Sequence, residues 1–271
     1  VTFETDGSWD ASQYEGHTHE VTGLMIERIL EHLSDYNAKC IAYNLGCTDK
    51  RLMPEPKKGI ACAVVGFGPS LQATWHELKQ FRAIISTSKA HDFLIERGII
   101  PTYHVDCDPR PHKVEHVKNC RSDIRYLLSS TVYPKVLLTV KDCPHGLWNY
   151  DVRASGYELP EGEWSIPTYA DVSQQAIQIA SILGYKNIHL FGVDYSHGKS
   201  GEKHAGSHEL EYPGEEEFTC NGVPFRSHWE FVKNMMQMPL VIRDNPDIEL
   251  SVHGDGLLYS YLKAYYGTDS N

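Results

Sequence analysis

Apolar residues recur along the chain in two rhythms, and the alternation between them sets the expected architecture. Strand-length runs rich in apolar or β-branched residues fall at Ile60–Val65, Arg82–Ser86, Thr102–Val105, Val136–Val140 and Asn187–Phe191. Helical spacing separates several of them. It spans Ala90–Arg97 before Gly98, Lys113–Asn119, and Val172–Leu183 before Gly184. This βα alternation predicts an α/β fold, a doubly wound and mostly parallel sheet with helices on both faces. Ligands are then expected at the carboxyl ends of the strands.

The flanks are less regular. Val21, Leu24, Met25, Ile29 and Leu33 have helical spacing over Glu20–Leu33, and Cys40–Tyr43 reads as a short strand. The breaker-rich, charged stretch Met53–Gly59 reads as a linker. These features divide the chain into an N-terminal helix–strand segment, 1–58, and a main domain, 59–271. Phe3-Glu4-Thr5-Asp6-Gly7 also resembles Phe218-Thr219-Cys220-Asn221-Gly222. Each is followed by a His-containing segment, a Met-bearing helix and a short strand (Ile41–Tyr43 and Glu249–Val252). The first segment therefore reads either as a chance likeness or as the tail of a related module.

Composition narrows the class. An apolar content of 41% over 271 residues supports a substantial core, and no apolar run reaches membrane-spanning length. The acidic, polar start Val1–Asp6 lacks a leader pattern, so a soluble, cytoplasmic protein is expected. A net charge of −11 argues against a general nucleic-acid binder. Seven scattered cysteines without a Cys-x-x-Cys pair suggest reduced thiols.

Three strand ends carry candidate chemistry. Gly66-Phe67-Gly68-Pro69-Ser70 follows a buried strand. Its glycines allow backbone N–H groups close to phosphate oxygens, and Ser70 is placed to cap the next helix. Glycines are equally at home there for steric reasons. Asp106-Cys107-Asp108-Pro109 puts two carboxylates at the next strand end, suited to Mg²⁺ or to a plain capped turn. Phe191-Gly192-Val193-Asp194-Tyr195-Ser196-His197 opens a long polar segment with His204 and His208, and His228 follows. Zinc ligation by these histidines lacks an acidic or Cys partner at characteristic spacing. A polar lid is the expected reading, with Lys199, Lys203 and Arg226 available to offset phosphate charge.

Together these loops resemble a known group. Ala63-Val64-Val65-Gly66-Phe67-Gly68-Pro69-Ser70-Leu71 is similar to the strand-loop of a superfamily of Rossmann-like transferases. It includes flagellin-modifying motility accessory factors, 6-hydroxymethylpterin diphosphokinase-like proteins and bacterial CMP-sialic-acid-dependent sialyltransferases. Leu94–Pro101 with Val105–Pro109 resembles the first two groups, and Ile182–Asp194 resembles all three. The resemblance implies a nucleotide-dependent transferase, foremost a glycosyltransferase using a nucleotide-activated sugar. The alternatives are ATP- and Mg²⁺-dependent diphosphate transfer to a pterin alcohol, and a non-catalytic nucleotide-binding module. The implied partner is a small nucleotide-type donor, with a glycan, protein or pterin as acceptor. Its phosphates would meet Gly66, Phe67, Gly68, Pro69, Ser70, Ser88, Gly192 and Tyr195. His228 and Asp194 would be catalytic, and Asp106 and Asp108 would hold Mg²⁺. Phe67 departs from the sialyltransferases, which carry Asn there.

Overall fold

The computed structural model describes residues 18–20, 35–152, 157–206 and 215–266. Along the chain, β1 (Thr18–Glu20) and α1 (Asp35–Cys47) precede β2 (Cys62–Val65), α2 (Leu71–Thr74), β3 (Ala83–Thr87) and α3 (Ala90–Glu96). Next come β4 (Tyr103–Asp106), β5 (Arg125–Ser129), α4 (Pro134–Val140), β6 (His145–Tyr150) and β7 (Ser165–Ile166). Then α5 (Val172–Ile182) leads into β8 (Asn187–Phe191), the hairpin β9 (Glu215–Cys220) and β10 (Val223–His228), and α6 (Trp229–Met235). The described chain closes with α7 (Met238–Asp244), β11 (Glu249–His253) and α8 (Leu257–Tyr266).

Eight strands form one sheet in the order β11-β8-β2-β3-β4-β5-β6-β7. Every neighbouring pair in it is parallel. The expected doubly wound α/β architecture is therefore the observed one. All four residues of β2 are buried. Cys62 and Val64 pack with Ala176, Ile177 and Ala180 of α5, whereas Ala63 and Val65 pack with Leu71, Phe93 and Leu94 on the opposite face. Period-two alternation explains this split, because a strand between two helical layers must be apolar on both sides. A second, three-stranded sheet has the order β1-β9-β10.

Two expected strands are helices. Val136–Val140 lies within α4, where Pro134 occupies the first turn and Val136, Leu137 and Val140 are buried. Those positions are one, two and five of a helical stripe, and Pro at the start suits a helix whose first N–H needs no partner. Cys40–Tyr43 lies within α1, whose buried residues Cys40, Ile41 and Asn44 share one face. The strand half of the internal similarity thus does not recur, and Phe3–Gly7 lies outside the described residues. So does the helix expected after Glu20. The helix expected at Lys113–Asn119 is a 3₁₀ turn, Pro111–Val117. The polar lid expected after His197 includes the hairpin β9–β10.

Asn44 ties α1 to the main sheet. Its Nδ2 donates to Ser130 O at 2.9 Å and to Val132 O at 2.8 Å, both in buried surroundings. Asn44→Ala leaves two buried carbonyls short of a donor, so a loss of about 2 kcal/mol in urea unfolding is expected. Residues 50–58 form a strap along the sheet. Leu52 N donates to Leu147 O at 2.7 Å, Glu55 N to Ile182 O at 2.8 Å and Lys58 N to Gly184 O at 2.8 Å. The stretch read as a linker, Met53–Gly59, is therefore held to the domain by two backbone bonds, from Glu55 and Lys58.

Candidate active site cleft

The chain leaves β2 toward β3 on one side and returns to β8 on the other. This reversal of strand order opens a crevice at the carboxyl ends of β2 and β8, where doubly wound folds bind ligands. A cavity of about 710 Å³ lies there, walled by residues that include Phe67, Ser88, Asp106, Lys113, Asp194 and Tyr195. A second cavity of about 820 Å³ adjoins it and shares Pro69, Asp194, Ser196 and His204.

The glycine loop interlocks with the loop after β8. Gly66 N donates to Phe191 O at 2.8 Å, Gly68 N to Gly192 O at 2.7 Å, and Ser70 N to Asp194 Oδ2 at 3.0 Å. Three of the amides expected to meet phosphate are thus engaged within the protein. A Cβ on Gly68 would fall 2.2 Å from Asp194 Oδ2 and 2.7 Å from Gly192 O. These glycines are required by the close approach of the two loops. The cap expected from Ser70 is absent: its side chain makes no capping bond, and the Asp194 carboxylate accepts the Ser70 N–H instead. Burial pushes the Asp194 carboxyl up to about 6. Phe67 meets Phe93 edge-on at 5.7 Å and stacks with His204 at 6.1 Å. Its carbonyl accepts from Ala205 N at 3.0 Å, which folds residues 204–206 over the loop.

At the end of β4 the two carboxylates differ sharply. Asp106 is 1% exposed; its Oδ1 accepts from Cys107 N at 2.7 Å and Asp108 N at 3.1 Å. Its Oδ2 is buried without a hydrogen-bond partner. Burial raises its pKa, against the opposing charge of Lys113. Burial also acts upward on Asp108, but the Arg110 hydrogen bonds and the Lys113 charge outweigh it and hold that carboxyl near 2. Lys113 is itself 7% exposed, with Nζ 3.3 Å from Asp108 Oδ2 and 3.3 Å from Ser88 Oγ. Cys107 is held above the usual thiol range by burial first and by the Asp106 charge second.

Tyr195 reaches the same wall from a left-handed backbone, φ 52°, and donates through its hydroxyl to Asp171 Oδ2 at 2.5 Å. Asp171 also caps α5, accepting from Ser173 N at 2.8 Å and Gln174 N at 3.1 Å. The sequence reading missed Asp171, although an Asp directly before a helical run is a start signal. Lys113 had no such signal, since a lone lysine in a polar turn reads as surface.

Not every expected residue joins the cleft. His228 is 3% exposed and lines neither cavity; its ring lies 5.1 Å from His197 and 5.5 Å from Phe231. Lys203 lines the first cavity and Lys199 and Arg226 the second, but each is already paired: Lys203 and Arg226 with Glu215 at 2.8 and 2.7 Å, and Lys199 with Asp255. Phe67, Gly68, Pro69, Ser88, Asp106, Asp108, Gly192, Asp194 and Tyr195 do share the first cavity wall, and Ser70 faces the second.

An open parallel sheet with its cleft at the switch point places this chain among Rossmann-like α/β proteins. The chain belongs to the 6-hydroxymethylpterin diphosphokinase MptE-like family, whose model matches residues 39–200. Among solved structures it is similar to the MAf glycosyltransferase from Magnetospirillum magneticum AMB-1, with 18% identity and a TM-score of 0.63. That match covers 84% of this chain and 37% of the other, so the chain spans little more than a third of that protein's length. It also matches a mammalian sialyltransferase in complex with Gal-beta-1-3GalNAc-ortho-nitrophenol, at 12% identity and a TM-score of 0.39, over 82% of this chain and 86% of that one. A search of curated proteins found no match. The family that the family model identifies is one of the three groups that the strand loops resemble. No helix among the described residues is long and apolar enough to cross a membrane.

Proposed function

We propose that this protein is a nucleotide-dependent transferase, with the donor in the first cavity and the acceptor in the second. The observation that carries the proposal is the buried, unpartnered Asp106 Oδ2 on the cavity wall. A carboxylate oxygen kept dry and unbonded is costly unless the ligand brings its partner. Lys113 and Ser88 stand beside it, a cation and a hydroxyl suited to phosphate oxygens.

A divalent cation such as Mg²⁺ fits this end of β4, with Asp106 as the ready ligand and Asp108 as a second once it releases Arg110 or Lys113. When bound, such an ion neutralises charge on the donor phosphates. Asp194 borders both cavities, and an acid whose pKa stands at about 6 is ionised at neutral pH yet basic enough to accept a proton from an acceptor hydroxyl. Activity depending on it rises as pH passes upward through about 6, because only the ionised form is a base.

The leading donor is a nucleotide-activated sugar. Two adjoining cavities that share Asp194, with room for a donor and an acceptor side by side, favour this reading. The second reading, diphosphate transfer from ATP to a hydroxymethyl pterin, is favoured by the family's description. Incubation with CMP-, UDP- and GDP-sugars, and separately with ATP and 6-hydroxymethyl-dihydropterin, with and without Mg²⁺, separates the two. Nucleotide release from a sugar donor supports the first reading. AMP formed only with the pterin supports the second, and binding without turnover identifies a nucleotide-binding module. Absence of both turnover and a thermal shift with every one of these ligands would refute the proposal.

A further inference from the structure

Beside the cleft, three segments distant in sequence converge on one point. His197 follows β8, Glu215 opens β9 and His228 closes β10. The antiparallel register pairs His228 directly with Glu215. His197 N donates to Arg226 O at 2.8 Å, which fixes the third segment against the hairpin. One ligand atom from each of these three side chains lies within 4.8 Å of the other two.

The surroundings suit a metal ligand set. His197 and His228 are 8% and 3% exposed, and both ring nitrogens of His197 are buried without a hydrogen-bond partner. A buried imidazole with neither nitrogen bonded is unfavourable, because both groups have left water without a replacement partner. Two imidazoles and a carboxylate form a donor set characteristic of zinc and its first-row neighbours, whereas Mg²⁺ prefers oxygen. Metal approach is from the Glu215 side, where that side chain is 29% exposed.

We propose that His197, Glu215 and His228 form a binding site for a divalent transition metal of the zinc class. This site is separate from the Asp106 end of the cleft and independent of the proposed transfer reaction. Two cations face it. Lys203 Nζ holds Glu215 Oε1 at 2.8 Å, and Arg226 holds Oε2 at 2.7 Å, with His197 Nδ1 3.9 Å from the same oxygen. Arg226 is 63% exposed, so it can swing into water and yield Oε2 to the ion. The metal then clips the hairpin to the loop that carries Asp194 and Tyr195. Ser227 already ties the same two elements, donating to Tyr195 O at 2.7 Å.

The test is titration of the chelator-stripped full chain with Zn²⁺, and with Co²⁺ for its visible absorption. One equivalent of either ion is expected, with Co²⁺ bands of a nitrogen–oxygen site. His197→Ala or Glu215→Gln lowers affinity by at least about 100-fold, as loss of a direct ligand exceeds loss of a supporting group. Arg226→Met tightens binding several-fold by removing the competitor, a result that a merely structural role for these residues would not give. Glu215→Gln at the half-exposed position also serves if a histidine variant fails to fold. The proposal is overturned if the wild-type chain takes up no equivalent. It is equally overturned if uptake is unchanged in Glu215→Gln and Arg226→Met.

Discussion

Gly68→Ala is expected to destabilise the fold by about 4 kcal/mol, among the larger effects of a single methyl group. At roughly 2–4 °C per kcal/mol for a chain of this size, the melting temperature falls by about 10 °C. The added carbon would stand 2.2 Å from Asp194 Oδ2 and 2.7 Å from Gly192 O, and neither neighbour can retreat. Gly192 O is the acceptor for Gly68 N, and Asp194 Oδ2 is the acceptor for Ser70 N. Relief of the clash therefore breaks the bonds that hold the two loops together. Gly59→Ala is the matched control, because a Cβ there meets nothing within 4 Å. Equal melting temperatures for the two variants would show that the loops are not interlocked as described.

The second large effect concerns turnover. Asp106→Asn is expected to lower the transfer rate by about 10²–10³-fold, comparable to removing one charge-stabilising group from an active site. Stability is expected to hold or to rise slightly. The amide oxygen can still accept from Cys107 N and Asp108 N, and the variant no longer buries a charge whose pKa burial has raised. The Mg²⁺-dependent part of any nucleotide-induced thermal shift disappears with the carboxylate. Turnover within twofold of wild type would remove the end of β4 from the proposed chemistry.

Much of the fold was legible because its central strands are buried on both faces. Cys62–Val65, Ala83–Thr87 and Asn187–Phe191 sit where the apolar runs placed them, and α5 begins behind Asp171 as helical spacing required. The two helices misread as strands, at Val136–Val140 and Cys40–Tyr43, share one cause. A four- or five-residue apolar run is compatible with either a strand or one buried helix stripe. Pro134 was the distinguishing residue for α4, and its value as a helix-start signal went unused. The strands β5 and β6 were missed because Arg125, His145, Gly146 and Asn149 interrupt their apolar pattern. Asn149 belongs there for its bonds to Glu163 Oε2 and Trp164 O, both at 3.0 Å.

The site divided in the same way. Loops that directly follow strands were found, since the sheet alone fixes where their first residues point. Glu215 could not be found by spacing, because hairpin register and not sequence distance sets it opposite His228. His228 was taken for a cleft residue on resemblance, but the hairpin turns it toward His197.

The strap at residues 50–58 has a bearing on how this protein can vary. It follows β6 at Leu147 and then meets the end of α5 and the start of β8, with Glu55 pairing Arg125 at the beginning of β5. These contacts lie along the amino rim of the sheet, whereas the cleft lies along the carboxyl rim. Mutational drift in the strap therefore changes how tightly the scaffold holds while leaving the ligand-facing loops as they are. Stability and specificity can then be selected on separate sets of residues.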